Sequence, residues 1–185
     1  MKNDWKNRED FLKAIGQFTV EFSSLEFSLL ELCAFTVADL PNCKSKYIDF
    51  IGLSFEGKKD VLKKFIKNET PQLSEEWEKI NCEIGEINYE RRHLIHGIGA
   101  SYLFHEIIVT YVKTNGVIDK KEYKVADINK LTNRIAHLRT GDNGVAGIFD
   151  SKFKTAAVNA YNNKPTTTKK MTFANDGVIL TEYKG

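Results

Sequence analysis

The chain has little cysteine, no excess of charge of either sign and no long apolar run. Its three cysteines, Cys33, Cys43 and Cys82, fit neither a disulfide framework nor a zinc site. The 27 basic and 25 acidic residues give a net charge of +2, too balanced for a protein that coats nucleic acid. No apolar run reaches membrane-spanning length, and the polar N-terminus differs from a signal peptide. We therefore expect a cytoplasmic protein that uses no cofactor and binds no membrane.

Signatures of several enzyme classes are also missing. Gly97-Ile98-Gly99 follows a predicted helix instead of opening one, so it stops a helix and does not cradle a phosphate. No serine stands in a nucleophile elbow. His93, His96 and His105 are spaced by three and nine residues, which matches no compact metal site, so no metal ligands are predicted.

Helical periodicity dominates what is present. Over residues 9–38, apolar side chains recur at steps of four and three, a pattern typical of long bundle helices. This stripe consists of Phe11, Ile15, Phe18, Phe22, Leu25, Leu29 and Leu32. Further helices are predicted over residues 54–67, from Ser74 to residue 96, over 127–138 and, in the mixed C-terminal part, over 151–161. The fold class is therefore mainly α.

Strand patterns begin only after Gly99. Residues 101–113 are rich in aromatic and β-branched side chains, and Asn115-Gly116 is a strong hairpin signal before a return strand over 117–125. A second hairpin is predicted around Asn175-Asp176-Gly177, between residues 171–173 and 178–180. We predict an up-and-down helical bundle over residues 1–140, with a β-hairpin after the helix that begins at Ser74, and a small mixed extension over 141–185 packed on the same domain.

The helix from Ser74 carries an arginine where its pattern calls for a core side chain. Its apolar positions are Trp77, Ile80, Ile84, Ile87, Leu94 and Ile98, and Arg91 fills the one gap among them. Buried arginines are rare unless they are paired or bound to an anion. The sequence leaves open a structural role for Arg91, as a buried pair, for which Glu26 is the best partner, or as an arginine that extends to solvent along its stem. It leaves open equally a functional role, in a site at a cleft or subunit interface.

Arg91 is followed, after four residues, by His96. An arginine can hold a phosphate with a fork of donors, and a histidine can carry a proton either way near neutral pH. At about 100° per residue the two side chains point about 140° apart, so one regular helix does not aim both at one phosphate. Either the helix loosens before Gly97 or two copies of the chain share the site. We favour the second alternative, because a two-fold contact brings two such helix ends together.

At these residues the chain resembles the HEPN superfamily, the higher-eukaryote and prokaryote nucleotide-binding domains. Its signature is an arginine, four to six residues and a histidine near the end of a helix, which Arg91 and His96 match. Leu25-Glu26 in the first helix and the segment 53–59 are also similar, and the resemblance covers roughly residues 10–140. Arg92 departs from the polar residue, often asparagine, that usually follows the arginine. Ile98 stands where one subgroup has a tyrosine that its partner modifies.

The resemblance implies a homodimeric bundle and a metal-independent endoribonuclease of toxin–antitoxin or phage-defence type. Arg91 and His96 would be catalytic, Arg92 and Asn88 would position RNA, and Glu26 would support Arg91. RNA, a second copy and an antitoxin or defence-system protein are the expected partners. The alternative is a catalytically inactive helical module that binds RNA, a nucleotide or a partner protein, because some members of the family only bind.

Overall fold

The computed structural model describes residues 2–37, 48–97, 99–103, 106–113, 115–140, 152, 154–163, 169–174 and 177–182. The helices are α1 (Lys2–Val37), α2 (Phe55–Glu69), α3 (Ser74–His96), α4 (Val125–Thr140) and α5 (Thr155–Asn162), with a 3₁₀ turn at Pro71–Leu73. The strands are β1 (Gly99–Leu103), β2 (Glu106–Val112), β3 (Ile118–Tyr123), β4 (Lys169–Ala174) and β5 (Gly177–Glu182). The mainly helical class predicted from the sequence is confirmed, and the particular bundle arrangement stays a prediction.

The chain divides into two compact units. The first consists of Met1–Leu25 and Ile80–Leu138, and the second of Glu26–Lys79 and Arg139–Gly185. The predicted separation into a bundle over residues 1–140 and an extension over 141–185 stays a prediction.

In the first unit, apolar faces of three helices and one sheet meet. Phe18 and Phe22 of α1, Ile84 and Ile87 of α3, Ile128 and Ile135 of α4, and Ile107 and Val109 of β2 are all at most 3% exposed. Arg134 of α4 adds two ion pairs to α3, with Nε 3.1 Å from Glu83 Oε1 and Nη2 2.7 Å from Glu86 Oε2. These contacts hold α3 between its neighbours and so fix the helix that carries the motif.

The sheet of the first unit is an antiparallel meander in the order β1-β2-β3. The predicted single strand over residues 101–113 is therefore wrong, because this segment forms parts of two paired strands, with Ala100 opposite Val109. Leu103 pairs with Glu106; Phe104 and His105 lie outside the described residues, and neither residue type is typical of turns. The predicted Asn-Gly hairpin is confirmed: Gly116 has φ +80°, and Lys113 N donates to Val117 O at 2.9 Å.

The second unit contains the C-terminal part of α1, helix α2, the start of α3, helix α5 and the β4–β5 hairpin. Ser54 caps α2, since its Oγ accepts from Gly57 N at 3.0 Å. Lys58 is buried and donates to Glu26 Oε1 at 3.1 Å and to Leu53 O at 2.8 Å. Burial raises the pKa of the Cys33 thiol to about 12. The predicted second hairpin is confirmed by the β4–β5 pairing, and its turn residues 175–176 lie outside the described residues.

Candidate site at the end of helix α3

Helix α3 stays regular up to its last residue. Gly97 N donates to His93 O at 3.1 Å, which is the ordinary bond to the fourth preceding residue. Of the two alternatives that the sequence offered, a helix that loosens before Gly97 is therefore wrong. Because the helix is regular, the Arg91 and His96 side chains point about 140° apart, as the sequence analysis expected.

Gly97 is required by the close approach of β2 to the end of α3. A Cβ atom at this position would lie 2.2 Å from Val109 Cγ1 and 2.8 Å from His93 O. Real Cβ atoms do not come this close to another heavy atom, so only glycine lets the strand pass here. The sequence identified Gly97 as a helix stop, and the contact with Val109 gives it a second, steric role.

Arg91 lies partly buried at the gap in the apolar stripe. Its Cζ atom is 4.8 Å from the centroid of the Phe22 ring, a distance at which a guanidinium is attracted to an aromatic face. Within the described part of the chain, this guanidinium packs on the ring and forms no ion pair with a carboxylate. The ring holds the guanidinium without neutralising it, so its charge stays available to an anion.

His96 is exposed at the end of α3, and no described residue engages its ring. Arg92, one turn earlier, is exposed as well. Asn88, another turn back, is only 3% exposed. A side chain buried to this degree does not meet RNA in this arrangement, so the placement gives no support to the RNA-positioning role predicted for Asn88.

Glu26, the predicted support of Arg91, is engaged in the second unit. Its Oε1 lies 3.1 Å from Lys58 Nζ, which is 5% exposed at its side chain. A buried ammonium needs a carboxylate partner, and Glu26 supplies it. The support of Arg91 by Glu26 stays a prediction.

His93 is buried at the end of α3 in surroundings that the sequence did not reveal. It is 1% exposed, with Nδ1 3.0 Å from Tyr89 O and Nε2 3.3 Å from Asp119 Oδ2. The ring centroids of Tyr89 and Tyr111 lie 4.5 and 4.9 Å from that of the imidazole. Asp119 reaches the helix because β3 pairs with β2, and it stands opposite Tyr111.

Both ring nitrogens of His93 face acceptors. A carbonyl oxygen only accepts, so Nδ1 carries a proton and donates to Tyr89 O, and a protonated ring also donates to Asp119. Neither nitrogen is left to exchange a proton with a substrate. His93 therefore fastens β3 to α3, and His96 is the histidine of this helix that is available for acid–base chemistry.

A second polar contact ties β3 to the same helix. Glu90 accepts a hydrogen bond at Oε2 from Tyr123 Oη at 2.7 Å, and its Oε1 pairs with Lys121 Nζ. Burial, followed by the bond to Glu90, raises the pKa of the Tyr123 hydroxyl. Because Asp119, Lys121 and Tyr123 alternate along β3, all three point to the helix from one face of the sheet.

These contacts leave a cleft of about 310 Å³ beside the end of α3, which we call the tyrosine cleft. It is lined by Tyr89, Arg92, His93, Tyr111, Lys113 and Asn115. Lys113 Nζ lies 3.3 Å from Asp119 Oδ2. His96 follows Arg92 by four residues, so their Cβ atoms are about 6 Å apart on the helix surface. The cleft therefore opens next to the exposed histidine.

Asp119 should make the stability of the first unit depend on pH. Hydrogen bonds from His93 and then Lys113 hold the pKa of this carboxyl below its ordinary value of 3.8. A lowered pKa stabilises the fold above about pH 3.8, and the contribution is lost as pH falls through the lowered value. We expect Asp119→Asn to lower the urea midpoint at pH 7, and the difference from wild type to shrink below pH 3.8. An equal difference at both pH values would contradict this role.

The burial of His93 also changes one expectation from the sequence. On spacing alone, His93→Ala should be mild beside His96→Ala, yet the alanine would leave a cavity and remove one of the partners of Asp119. His93→Ala is therefore a variant that destabilises the fold and cannot serve as a neutral control for catalysis.

Within the described ranges, no group of three or more His, Cys, Asp or Glu side chains is arranged to hold a metal ion. His105 lies outside them. In the same ranges, no helix has the length and apolar character needed to cross a membrane.

Comparisons of the chain with family models, with curated proteins and with solved structures give no match. The resemblance to HEPN proteins therefore depends on the motif and the neighbouring residues alone.

Proposed function

We propose that this protein is a HEPN-like, metal-independent endoribonuclease. The observation that carries the proposal is the exposed, unengaged imidazole of His96 at the end of a helix whose other histidine is fully occupied. Arg92 precedes His96 by one helical turn on the same side of the helix, and Arg91 points away from it, so a second copy of the chain has to bring the other phosphate-binding cation to the histidine.

The chemistry needs only proton transfer and charge stabilisation. His96 takes the proton from the 2′-hydroxyl or gives one to the leaving 5′ oxygen. The 2′ oxygen bonds to phosphorus as the bond to the 5′ oxygen breaks, which leaves a 2′,3′-cyclic phosphate and a 5′-hydroxyl. Arg91 holds the phosphate and the negative charge that grows on it in the transition state.

We further propose that two copies share each site. A regular helix separates Arg91 and His96 by about 140°, so the arginine of one copy serves the histidine of the other across a two-fold axis. Support comes from the unbroken helix at Gly97 and from the uncompensated charge of Arg91 over Phe22. The homodimer is thus part of the catalytic hypothesis.

By analogy with the HEPN superfamily, the biological setting is a cytoplasmic toxin or antiviral effector with an antitoxin or defence-system partner. The bundle topology of that family belongs to the same proposal.

A second candidate function is RNA binding without cleavage. Two observations favour it: Arg91 and His96 diverge within one chain, and Arg92 replaces the usual asparagine of the motif. Both candidates share RNA as the ligand, and they differ only in whether a bond is cut.

Cleavage should persist in EDTA and leave 2′,3′-cyclic phosphate and 5′-hydroxyl ends, because the attacking group belongs to the RNA. The measurement is end analysis of structured and single-stranded RNAs after incubation with purified protein. DNA and RNA with a 2′-O-methyl group at the cut are the matched controls and should survive. If RNA is cut neither by the protein alone nor after addition of the proteins encoded by adjacent genes, the binding module replaces the enzyme.

A further inference from the structure

We infer that the tyrosine cleft binds one nucleotide unit of single-stranded RNA, with the phosphate on Arg92 and Lys113 and the base against Tyr89. That the ligand is RNA rests on the proposed function. The location and the chemistry of the cleft do not rest on it, and binding in the cleft does not require that a bond be cut.

The charge in the cleft is the first argument. Arg92 and Lys113 bring two cations, and the carboxylate beside them, Asp119, already binds His93, Lys113 and the Tyr89 hydroxyl. In the described part of the chain, Arg92 has no ion-pair partner. A phosphate satisfies such a pair, because a guanidinium binds two of its oxygens at once and an ammonium adds a point charge.

The aromatic surface is the second argument. Tyr89 is 44% exposed although its ring packs on the imidazole of His93. Lys121 Nζ lies 5.4 Å from the centroid of the same ring, and exposed tyrosine rings beside cations are a usual platform for the bases of single strands. Asn115 Oδ1 accepts from Val117 N at 3.2 Å, which fixes the amide and leaves its N–H groups for a base edge.

The size and position of the cleft limit the ligand to a single unit. About 310 Å³ lies at the lower end of the range for small-molecule pockets and suits one nucleotide. Arg92 precedes His96 by one helical turn, so a nucleotide held in the cleft presents the adjoining phosphodiester to the histidine. Arg92, a departure from the HEPN motif, thereby acquires a role of its own in positioning the strand.

A purely structural role accounts for only part of the cluster. His93, Asp119 and the Tyr89 hydroxyl fasten β3 to α3, and their contacts are complete without Arg92. The exposed guanidinium of Arg92 adds nothing to that contact, and Lys113 keeps 44% of its side chain exposed. The two cations are therefore the groups whose removal tests binding without removing the fastening residues.

The test is fluorescence anisotropy of the full chain with a short labelled oligoadenylate that is 2′-O-methylated throughout, so that binding is measured without cleavage. We expect Arg92→Gln and Lys113→Gln each to weaken binding about tenfold, the effect of one lost charge-assisted hydrogen bond. Each should also reduce the slope of log Kd against log salt by about 0.7, the value for one phosphate contact on a single strand.

Lys120→Gln is the matched control. It removes the same charge from an exposed position of β3, and the alternation along the strand places it on the sheet face opposite Asp119. We expect its affinity and salt slope to equal those of wild type. Thermal melting checks that all three variants fold.

The outcomes separate the cleft from the enzyme. If the two cleft variants lose affinity and wild type cuts no RNA, the nuclease proposal fails and the binding site stands. If wild type cuts RNA but the cleft variants bind like Lys120→Gln, the cleft proposal is overturned and the nuclease stands. Wild type that does not bind the oligoadenylate also overturns the cleft proposal.

Discussion

Replacing His96 with alanine should lower the rate of RNA cleavage by about a hundredfold or more, because the positioned acid–base group is lost. The side chain is exposed and makes no hydrogen bond, ion pair or ring contact with a described residue, so the melting temperature should barely change. A variant that retains the wild-type rate would remove His96 from the mechanism, and one that melts early would show a structural role instead.

The shared site can be tested by mixing two inactive variants. If Arg91 of one copy serves His96 of the other, a heterodimer of Arg91→Ala and His96→Ala contains one intact site and one site that lacks both groups. Random exchange of subunits should therefore restore about a quarter of the wild-type activity. Light scattering on the same samples should show a dimer at tens of micromolar or below, as an order of magnitude for a stable pair.

Three results would contradict the shared site. A monomer by light scattering would leave no second copy to supply the arginine. A dimer whose mixed variants stay inactive would mean that each chain uses its own pair of side chains. Arg91→Ala that melts much earlier than wild type, with RNA binding unchanged, would assign the arginine to the fold through its contact with Phe22.

Gly97→Ala should destabilise the protein by about 1–3 kcal/mol, the usual cost of forcing an extra methyl group into a packed site. The new Cβ atom would meet Val109 Cγ1 at 2.2 Å and His93 O at 2.8 Å, and the second of these is backbone that cannot turn aside. Separation of β2 from the end of α3 would relieve the contact, so RNA binding in the adjoining cleft should weaken as well.

Gly16→Ala is the matched control for this substitution. Gly16 lies inside α1, and a Cβ atom there would meet no atom within 4 Å beyond the neighbouring backbone of its own helix. Alanine in place of an unhindered helical glycine should stabilise the protein by about 0.4–1 kcal/mol. In urea unfolding, the midpoints of the two variants should therefore shift from that of wild type in opposite directions. Gly97→Ala with the stability of wild type would show that the strand can move away at no cost.

Helices of this chain could be predicted from periodicity, because one apolar face suffices to mark them. The stripe from Phe11 to Leu32 extends over most of α1, and six of its seven members are at most 2% exposed. The same reasoning located Arg91 as an arginine in a core position, and its partly buried contact with Phe22 agrees with that expectation. Short-range patterns also sufficed for both hairpins, which the sequence marks with Asn115-Gly116 and with the segment 175–177.

What escaped prediction depends on contacts between distant residues. The turn between β1 and β2 carries no glycine, proline or asparagine, so two strands looked like one. Asp119 contacts His93 only because the pairing of β3 with β2 places it over the helix, and no local sequence pattern predicts that contact. The cleft, with Lys113 and Tyr111 from the sheet beside Arg92 from the helix, was hidden for the same reason.

The tyrosine cleft and the residues that fasten it all come from one continuous stretch of chain, from Tyr89 to Asp119. Closing such a short loop costs little chain entropy, whereas the contact of Phe22 with Arg91 joins residues much farther apart. The cleft can therefore form before α1 packs against α3, and contacts between residues close in sequence are associated with faster folding. A chain emerging from the ribosome could form its ligand cleft early and complete the arginine contact independently of it.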